Sequence, residues 1–299
     1  MTNSNARLLK IATYASVFAA GLLIVAKLIA WLMTGSVSIL ASLVDSVMDL
    51  GASLVNLFAV RYSLMPADAE HRFGHGKAEA LAGLGQGTFI AGSAVFLVLH
   101  AIDRLLHPQP LSDLGIGMAV IGMAIVATLA LLAVQHHVIR RTGSTAIRAD
   151  ALHYATDLST NVATIIALVL AQFGWSTLDP IFALGIAAYI LYGAGRIVRD
   201  AVQLLMDREL PEEDRERIMG IARDAPAVLG VHGLRTRQSG QTRVIQLHVE
   251  LPDELPLIEA HKISLEVERR LREAYSDSDI IIHQDPSSLG DESSAIRLN

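Results

Sequence analysis

The sequence predicts an α-helical membrane protein with six transmembrane helices, followed by a small α+β domain of ferredoxin-like type. Two observations predict this fold class. Of the 299 residues, 52% are hydrophobic and only 18% are charged, a composition too apolar for an average soluble domain. The apolar residues form six long stretches in the first two thirds of the chain, whereas the charged residues gather in the last third. A membrane part followed by a soluble part accounts for both observations.

The six apolar stretches are each long enough to cross a bilayer, and short polar segments separate them. The first is longer than the apolar region of a signal peptide, which predicts a retained membrane helix. Lys27 lies near the outer end of this helix, and we interpret its side chain as reaching to the membrane interface. The predicted spans are residues 8–33, 38–62, 79–105, 114–139, 147–173 and 181–205.

Basic residues lie mostly on one side of the predicted membrane, the side that carries both chain ends. The opposite side has Arg104, next to Asp103, and Lys27. The positive-inside rule therefore places both termini in the cytoplasm. The basic residues on the terminal side are Arg7, Lys10, Arg61, Arg72, Lys77, Arg140, Arg141, Arg148, Arg196, Arg199 and Arg208.

The sequence after the sixth span has the pattern of a soluble domain. Its predicted elements are a helix, two strands, a helix and a strand, over residues 211–224, 228–237, 243–251, 257–275 and 279–285. The order αββαβ is typical of a small ferredoxin-like domain. We therefore assign residues 1–208 to the transmembrane domain, residues 209–286 to a ferredoxin-like domain, and the Ser-rich residues 287–299 to a disordered tail.

Two pairs of polar residues lie inside the second and fifth predicted spans. Asp45 and Asp49 are four residues apart, as are His153 and Asp157, so each pair shares one helix face, about 6 Å apart along the axis. An ionised aspartate at the bilayer centre costs roughly 2.5–3.5 kcal/mol. Polar contacts that only hold helices together generally use Ser, Thr, Asn or Gln, which makes a bound cation the better explanation.

The two pairs are expected to meet near the middle of the membrane. Spans two and five occupy matching positions in two halves of three spans and run in opposite directions, which is typical of an inverted repeat with a midplane site; chance similarity between apolar helices is the alternative. Three carboxylates and one imidazole suit tetrahedral zinc, and they also admit iron(II), cobalt, manganese or cadmium. Because these ligands must lose protons to bind metal, metal and protons compete for the site.

This competition predicts a metal/proton exchanger, and two other classes of function are consistent with a buried ligand set. An intramembrane metalloenzyme is less favoured, because four protein ligands leave no open position for water and the chain has no His-Glu-x-x-His sequence. A passive metal channel or a membrane-bound sensor is the other class. The net charge of −6 argues against a nucleic-acid partner, and the absence of cysteine excludes thiolate metal ligands.

Two further groups of residues, outside the spans, could bind metal. Asp68, His71 and His75 lie in the polar loop after the second span, at the predicted cytoplasmic edge of the membrane; a solvated polar loop is the alternative. The soluble domain has four histidines and an aspartate that could hold two metal ions, with the aspartate bridging them; scattered surface histidines are the alternative. These residues are His232, His248, His261, His283 and Asp285.

Three stretches of the chain resemble those of the cation diffusion facilitators, most closely the bacterial zinc/iron efflux pumps of that family. They are residues 43–49, 68–79 (with Phe73-Gly74-His75-Gly76-Lys77-Ala78-Glu79) and 153–157. The resemblance runs from about residue 8 to residue 285 and implies a homodimer in the bacterial inner membrane, joined largely through its cytoplasmic domains, that exchanges divalent metal for protons. The chain lacks the His-rich loop of many eukaryotic zinc members, since residues 140–148 are short and basic.

By residue, the resemblance implies three metal sites and one structural contact. The transport site is Asp45, Asp49, His153 and Asp157; the membrane-edge site is Asp68, His71 and His75; the cytoplasmic binuclear site is His232, His248, His261, His283 and Asp285, with Gln284 nearby. Lys77 and Asp207 resemble an interlock between spans three and six. The sequence thus predicts an antiporter, not an enzyme, that exports zinc, or iron(II) or cadmium, by alternating access, with cytoplasmic metal acting as a sensor.

Overall fold

The computed structural model describes residues 3–35, 37–106, 115–172 and 178–289. The chain divides into two compact units, one from Ser4 to Val202 and one that begins at Gln203. The first contains the long helices and the second a three-stranded sheet with two helices. The predicted fold class, a helical part followed by a small α+β part, is therefore confirmed.

Within the described ranges, six long helices form the first unit, and each corresponds to one predicted apolar stretch. Leu114 and Phe173, the predicted ends of the fourth and fifth stretches, lie outside the described residues. The helices are α1 (Asn3–Thr34), α2 (Val37–Ser63), α3 (Lys77–Leu106), α4 (Gly115–Thr142), α5 (Thr145–Gln172) and α6 (Leu178–Leu205), the last of which continues into the second unit.

Helix length and composition distinguish α5 from the other five. In the described part of the chain, α1, α2, α3, α4 and α6 each contain a segment that is long and apolar enough to cross a membrane. Helix α5 has 28 residues but is more polar, because it carries Asp150, His153 and Asp157 together with several hydroxyl side chains. It packs against α2, α3 and α4, so its polar face has other helices around it.

Buried apolar side chains hold α1, α2, α4 and α5 together near one end of the first unit. Leu9, Val60, Val138 and Ile147, one from each helix, belong to a single buried cluster. Their packing brings α2 and α5 into contact, and this contact places the polar faces of the two helices next to each other.

Helices α3 and α6 approach closely because small residues line their contact. A Cβ added at Gly87 would lie 3.1 Å from a side-chain carbon of Val198 and 3.2 Å from one of Ile197, so a larger residue there would require these side chains to move by a few tenths of an ångström. Small residues of this kind allow close helix packing in membranes. A second buried cluster on the same pair consists of Ile90, Ala94, Ile190 and Ala194.

The second unit has the predicted order αββαβ. Its sheet has the strand order β1-β2-β3, with β1 and β2 antiparallel and β2 and β3 parallel. The two helices contribute Ile218, Val267 and Leu271 to a core that also contains Ile245 and Leu247 of the central strand. The elements are α7 (Glu212–Arg223), β1 (Gly230–Ser239), β2 (Thr242–Leu251), α8 (Leu257–Ala274) and β3 (Ser278–Pro286).

The structure differs from the sequence expectation at the start of the predicted disordered tail. Ser287–Leu289 form a single 3₁₀ turn directly after β3. The Asp253 carboxylate accepts hydrogen bonds from the Ser287 hydroxyl and the Ser288 backbone N–H, both at 3.0 Å. These bonds tie the turn to the segment before α8, which residue composition alone does not show. The rest of the predicted tail, residues 290–299, lies outside the described residues.

Candidate metal centres

The contact between α2 and α5 brings together three of the four residues expected to bind metal in the membrane. The Nε2 atom of His153 lies 3.0 Å from Oδ1 of Asp49 and 3.7 Å from Oδ2 of Asp157. Ligand atoms of all three residues lie within 4.8 Å of one another. Tetrahedral zinc with bonds of 2.0–2.2 Å holds its ligand atoms about 3.3–3.6 Å apart. Small side-chain movements would therefore bring these three groups to the distances that a metal ion requires.

Asp45 lies outside this three-residue cluster. It is one turn before Asp49 on α2 and its side chain is exposed. Its charge nevertheless acts on Asp157, so the two carboxylates belong to one electrostatic environment. A four-ligand site requires the Asp45 side chain to turn toward the other three residues.

The side chain of Lys27, interpreted from the sequence as reaching to the membrane interface, is directed at α2. Its ammonium group donates a hydrogen bond to the Ser46 hydroxyl at 2.6 Å and another to the Ser42 carbonyl oxygen at 3.0 Å. Ser46 lies between the two aspartates of α2, and Lys27 interacts electrostatically with Asp45, Asp49 and Asp157. The Lys27 ammonium group thus lies beside Ser46, because polar acceptors on α2 are within reach of its side chain, and its position relative to the membrane interface stays a prediction.

A buried polar network lies one turn along α5 from the cluster, and it was not predicted from the sequence. Asp150 is completely buried. Its carboxylate accepts hydrogen bonds from Ser16 of α1 at 2.5 Å, Gln86 of α3 at 3.2 Å and Gln135 of α4 at 2.7 Å. The signal for it was present, because Asp150, His153 and Asp157 have the i, i+3, i+7 spacing of one helix face.

The loop between α2 and α3 forms a second cluster, as expected. His75 Nε2 lies 3.3 Å from one oxygen of Asp68, and His71 Nδ1 lies 3.5 Å from the other. Hydrogen bonds from the backbone N–H groups of His71 and Glu70 hold the pKa of the Asp68 carboxyl below its usual value. Asp68 is therefore ionised at neutral pH.

A left-handed glycine positions the buried histidine of this loop. Gly74 has φ +77°, a conformation that residues with a side chain adopt only at a cost. The next residue, His75, is buried, with its ring 4.5 Å from that of Tyr62. Its Nδ1 atom has no hydrogen-bond partner among the described residues, while Nε2 is directed to Asp68. The fold thus orients one imidazole nitrogen toward the carboxylate.

The strand register of the second unit aligns three of its histidines. His232 on β1 is paired with His248 on β2, which is paired with His283 on β3. The Asp285 carboxylate contacts all three: one oxygen lies 2.8 Å from His248 Nδ1 and 3.2 Å from His232 Nε2, and the other lies 3.2 Å from His283 Nε2. Contact through both oxygens is the arrangement that a bridging carboxylate requires.

One residue beside this row of histidines was not predicted, and two residues named from the sequence lie outside the row. Glu250, which was not among the predicted ligands, lies 2.9 Å from His232 Nδ1 and orients that ring. His261 is exposed on α8 and is not in the cluster of His232, His248 and Asp285. Gln284 donates a hydrogen bond to Ser264 at 2.9 Å. The signal for Glu250 was present, because it lies two residues after His248 and therefore shares the same face of β2; its contact with His232 on the neighbouring strand depends on strand pairing.

Lys77 and Asp207, the predicted interlock, belong to different units. Lys77 begins α3, and Asp207 follows α6 with φ +57°. Within its own unit, Asp207 accepts a hydrogen bond from Arg237 at 3.2 Å. The interlock stays a prediction.

Comparison with known proteins identifies the family. Residues 13–206 match the model of the cation efflux transmembrane domain, and residues 210–287 match that of the cation efflux protein cytoplasmic domain. The cation-efflux pumps FieF of Shigella flexneri serotype 5b, Escherichia fergusonii and Escherichia coli K12 strain DH10B are each 52% identical over 289 residues, covering 97% of this chain and 96% of theirs. The chain belongs to the cation diffusion facilitator family.

Among solved structures, the chain is similar to the zinc form of CzrB. The match has 32% sequence identity and a TM-score of 0.27, and it covers 27% of this chain and 94% of the CzrB chain.

As a cation diffusion facilitator, the chain is a multi-pass membrane transporter for divalent metal cation efflux and not an enzyme. The metalloenzyme alternative is thereby excluded. The clusters described above are candidate metal-binding groups of this cation diffusion facilitator.

Proposed function

We propose that this cation diffusion facilitator exports zinc from the cytoplasm of a bacterial cell in exchange for protons. The transport site consists of Asp45, Asp49, His153 and Asp157. The observation that carries the proposal is the cluster of two carboxylates and one imidazole between α2 and α5. Such a cluster is expensive inside a membrane unless a cation or protons neutralise it.

The same side chains account for the coupling of the two ions. Metal binds only after the carboxylates and the His153 imidazole have lost their protons, so protonation and metal binding exclude each other. In the inward-facing state the deprotonated site captures metal from the cytoplasm. In the outward-facing state protons displace the metal, and alternation between the two states gives antiport.

Zinc is the favoured substrate because one imidazole and three carboxylates suit its tetrahedral geometry. Iron(II) and cadmium are the alternatives, and cobalt and manganese are also compatible with an oxygen-rich site. The FieF relatives are cation-efflux pumps, and the preference for zinc in this proposal rests on the ligand set of this chain.

The two other clusters have supporting functions in this proposal. Asp68, His71 and His75 bind metal at the cytoplasmic edge of the membrane. The row formed by His232, His248, His283 and Asp285, together with His261 of α8 as a further proposed ligand, binds two metal ions in the cytoplasmic domain and acts as a sensor.

The proposed assembly is a homodimer joined through these domains, with Lys77 and Asp207 as an interlock. All six helices, including α5, cross the inner membrane, and both termini are cytoplasmic because basic residues collect on that side. The chain has no cysteine, so single cysteines introduced at either terminus can test the orientation by labelling from each side of the membrane.

Metal/proton exchange in proteoliposomes tests the transport site. Zinc flux and the internal pH, reported by an enclosed dye, are measured together for the wild type, for Asp157→Ala and for the control Asp103→Ala, which changes an exposed residue of α3. We expect coupled zinc and proton flux in the wild type and the control. Asp157→Ala should abolish both fluxes while the cytoplasmic domain keeps its bound metal.

Two results would contradict the proposal. Normal exchange by Asp157→Ala would remove that residue from the transport site. Zinc flux that is insensitive to an imposed pH gradient would indicate a passive channel. Repeating the assay with cadmium, iron(II), cobalt and manganese ranks the substrates.

A further inference from the structure

Lys27 is a single positive charge directed at the acidic side of α2. It lies in α1, two turns before the end of that helix, and its ammonium group donates its two hydrogen bonds to α2. Its acceptor Ser46 is only 1% exposed, and the Lys27 side chain itself is half-buried. A lysine on a membrane helix usually extends to the interface, and the orientation seen here therefore needs a reason.

The hydrogen bonds to α2 direct the Lys27 charge toward the metal cluster. Ser46 follows Asp45 directly and precedes Asp49 by three residues, so one aspartate is its neighbour in the chain and the other lies about one helical turn away. Lys27 interacts electrostatically with both of them and with Asp157. Two of the three ammonium N–H groups donate to Ser46 and Ser42. Both acceptors are uncharged, so these hydrogen bonds do not neutralise the positive charge of Lys27, which still acts on the carboxylates.

Charge balance gives this arrangement a function. With His153 neutral, three ionised aspartates carry three negative charges, and a divalent metal supplies only two positive ones. The Lys27 ammonium supplies the third, so that the metal-loaded site is neutral. Net charge is costly in a low-dielectric membrane interior, so the Lys27 ammonium lowers the cost of holding the metal-loaded site there. The same positive charge repels the bound cation and therefore weakens its binding to the carboxylates.

We propose that Lys27 is the fixed counter-ion of the metal cluster and that its charge sets the affinity for the divalent cation low enough for release. The inference rests on the proposed transport function, since it assigns Lys27 to the same site. Lys27 is a positioning residue, because it acts on the metal through electrostatic interaction and not as a ligand.

The test compares three substitutions in full-length protein reconstituted in proteoliposomes. Lys27→Met removes both the charge and the hydrogen bonds, Lys27→Gln keeps a hydrogen-bond donor for Ser46 without the charge, and Lys27→Arg keeps the charge. Lys10→Met, which changes an exposed lysine of the same helix, is the matched control. Initial rates of zinc flux at varied zinc concentration give KM and the maximal rate separately.

We expect Lys27→Met and Lys27→Gln to lower KM about tenfold, because losing one nearby charge changes metal binding by at least this factor at an effective dielectric constant of about 20. The maximal rate should also fall, because zinc leaves the site more slowly. Lys27→Arg and Lys10→Met should behave as the wild type. If Lys27→Met does not fold, Lys27→Gln carries the same expectation.

Three outcomes overturn the inference. KM that is unchanged in both neutral variants shows that the charge does not act on the metal. A raised KM shows that Lys27 only holds the helices in place. Normal kinetics in Lys27→Gln, with defects only in Lys27→Met, show that the hydrogen bond and not the charge matters.

A binding measurement separates this failure from failure of the proposed function. Calorimetric zinc binding is measured for the wild type, Lys27→Gln and Asp157→Asn, and the component that Asp157→Asn removes is assigned to the membrane site. We expect Lys27→Gln to tighten that component about tenfold, in line with KM. If the wild type has no such component, the transport site itself is wrong and the inference falls with it. If the component exists and Lys27→Gln leaves it unchanged, only the inference is wrong.

Discussion

Replacing Asp150 by alanine should destabilise the membrane unit more than any substitution among the proposed metal ligands. The Asp150 carboxylate is completely buried and is the common acceptor for donors from α1, α3 and α4. Alanine leaves the Ser16 hydroxyl and the Gln86 and Gln135 amide groups without this acceptor. Each of the three helices thereby loses one hydrogen bond to α5.

The expected magnitude follows from the number of bonds. Interhelical hydrogen bonds in membranes contribute about 0.6 kcal/mol each on average, so three bonds give roughly 2 kcal/mol. A buried donor that cannot find another partner adds about 1–3 kcal/mol. We therefore expect Asp150→Ala to lower the free energy of unfolding by about 2–5 kcal/mol, the lower value applying if every donor finds another partner, which corresponds to about 4–20 °C in Tm for a unit of this size.

Asp150→Asn is the matched variant, because it keeps the volume and one acceptor oxygen. In the described structure, Oε1 of Gln135 is buried without a hydrogen-bond partner. A flip of the Gln135 amide would let this oxygen accept a hydrogen bond from the side-chain N–H that Asp150→Asn introduces. We expect Asp150→Asn to cost less than about 1 kcal/mol.

Thermal unfolding of detergent-solubilised protein, followed by size-exclusion chromatography after heating, measures both variants. The prediction fails if Asp150→Ala unfolds within about 1 °C of the wild type. It also fails if Asp150→Asn is destabilised as much as Asp150→Ala, since that result would show that the charge, and not the set of hydrogen bonds, stabilises the network.

Two further predictions concern the clusters outside the membrane helices. Asp285→Ala should abolish metal binding by the cytoplasmic domain, because the Asp285 carboxylate contacts three imidazoles. His261→Ala should retain at least one metal ion. Equal loss of calorimetric zinc binding in the two variants would contradict this prediction. Gly74→Ala should weaken zinc binding at the loop about fivefold, because a side chain at φ +77° costs about 1 kcal/mol. The component of zinc binding that Asp68→Ala removes is the one to compare, and an unchanged affinity would show that the loop adapts without strain.

Electrostatics gives the loop cluster a defined response to pH. The pKa of Asp68 is lowered by backbone N–H groups, so its charge is present above the usual carboxyl range and is lost only when the pH falls below it. Asp68 should therefore keep its negative charge at a pH that already protonates an ordinary aspartate.

Helix and strand periodicity explains why most of the fold could be predicted from the sequence. Six apolar stretches can satisfy their backbone hydrogen bonds in a membrane only as helices, and alternation along residues 244–250 determined that His248 lies on the side of β2 away from the core. The spacing of four residues, between Asp45 and Asp49 and between His153 and Asp157, determined that the two members of each pair share one helix face. These features are local, so residue order alone specifies them.

What lies opposite each face depends on helices and strands that are distant in sequence, and only the tertiary structure decided it. Packing of α2 on α5 brought His153 to Asp49 but left Asp45 outside the three-residue cluster. Packing of α1 on α2 turned Lys27 toward Ser46, and strand pairing placed Glu250 beside His232. Helical or strand period determines the direction of a side chain from its own backbone, whereas its partner is selected by the packing of many apolar side chains over the whole unit.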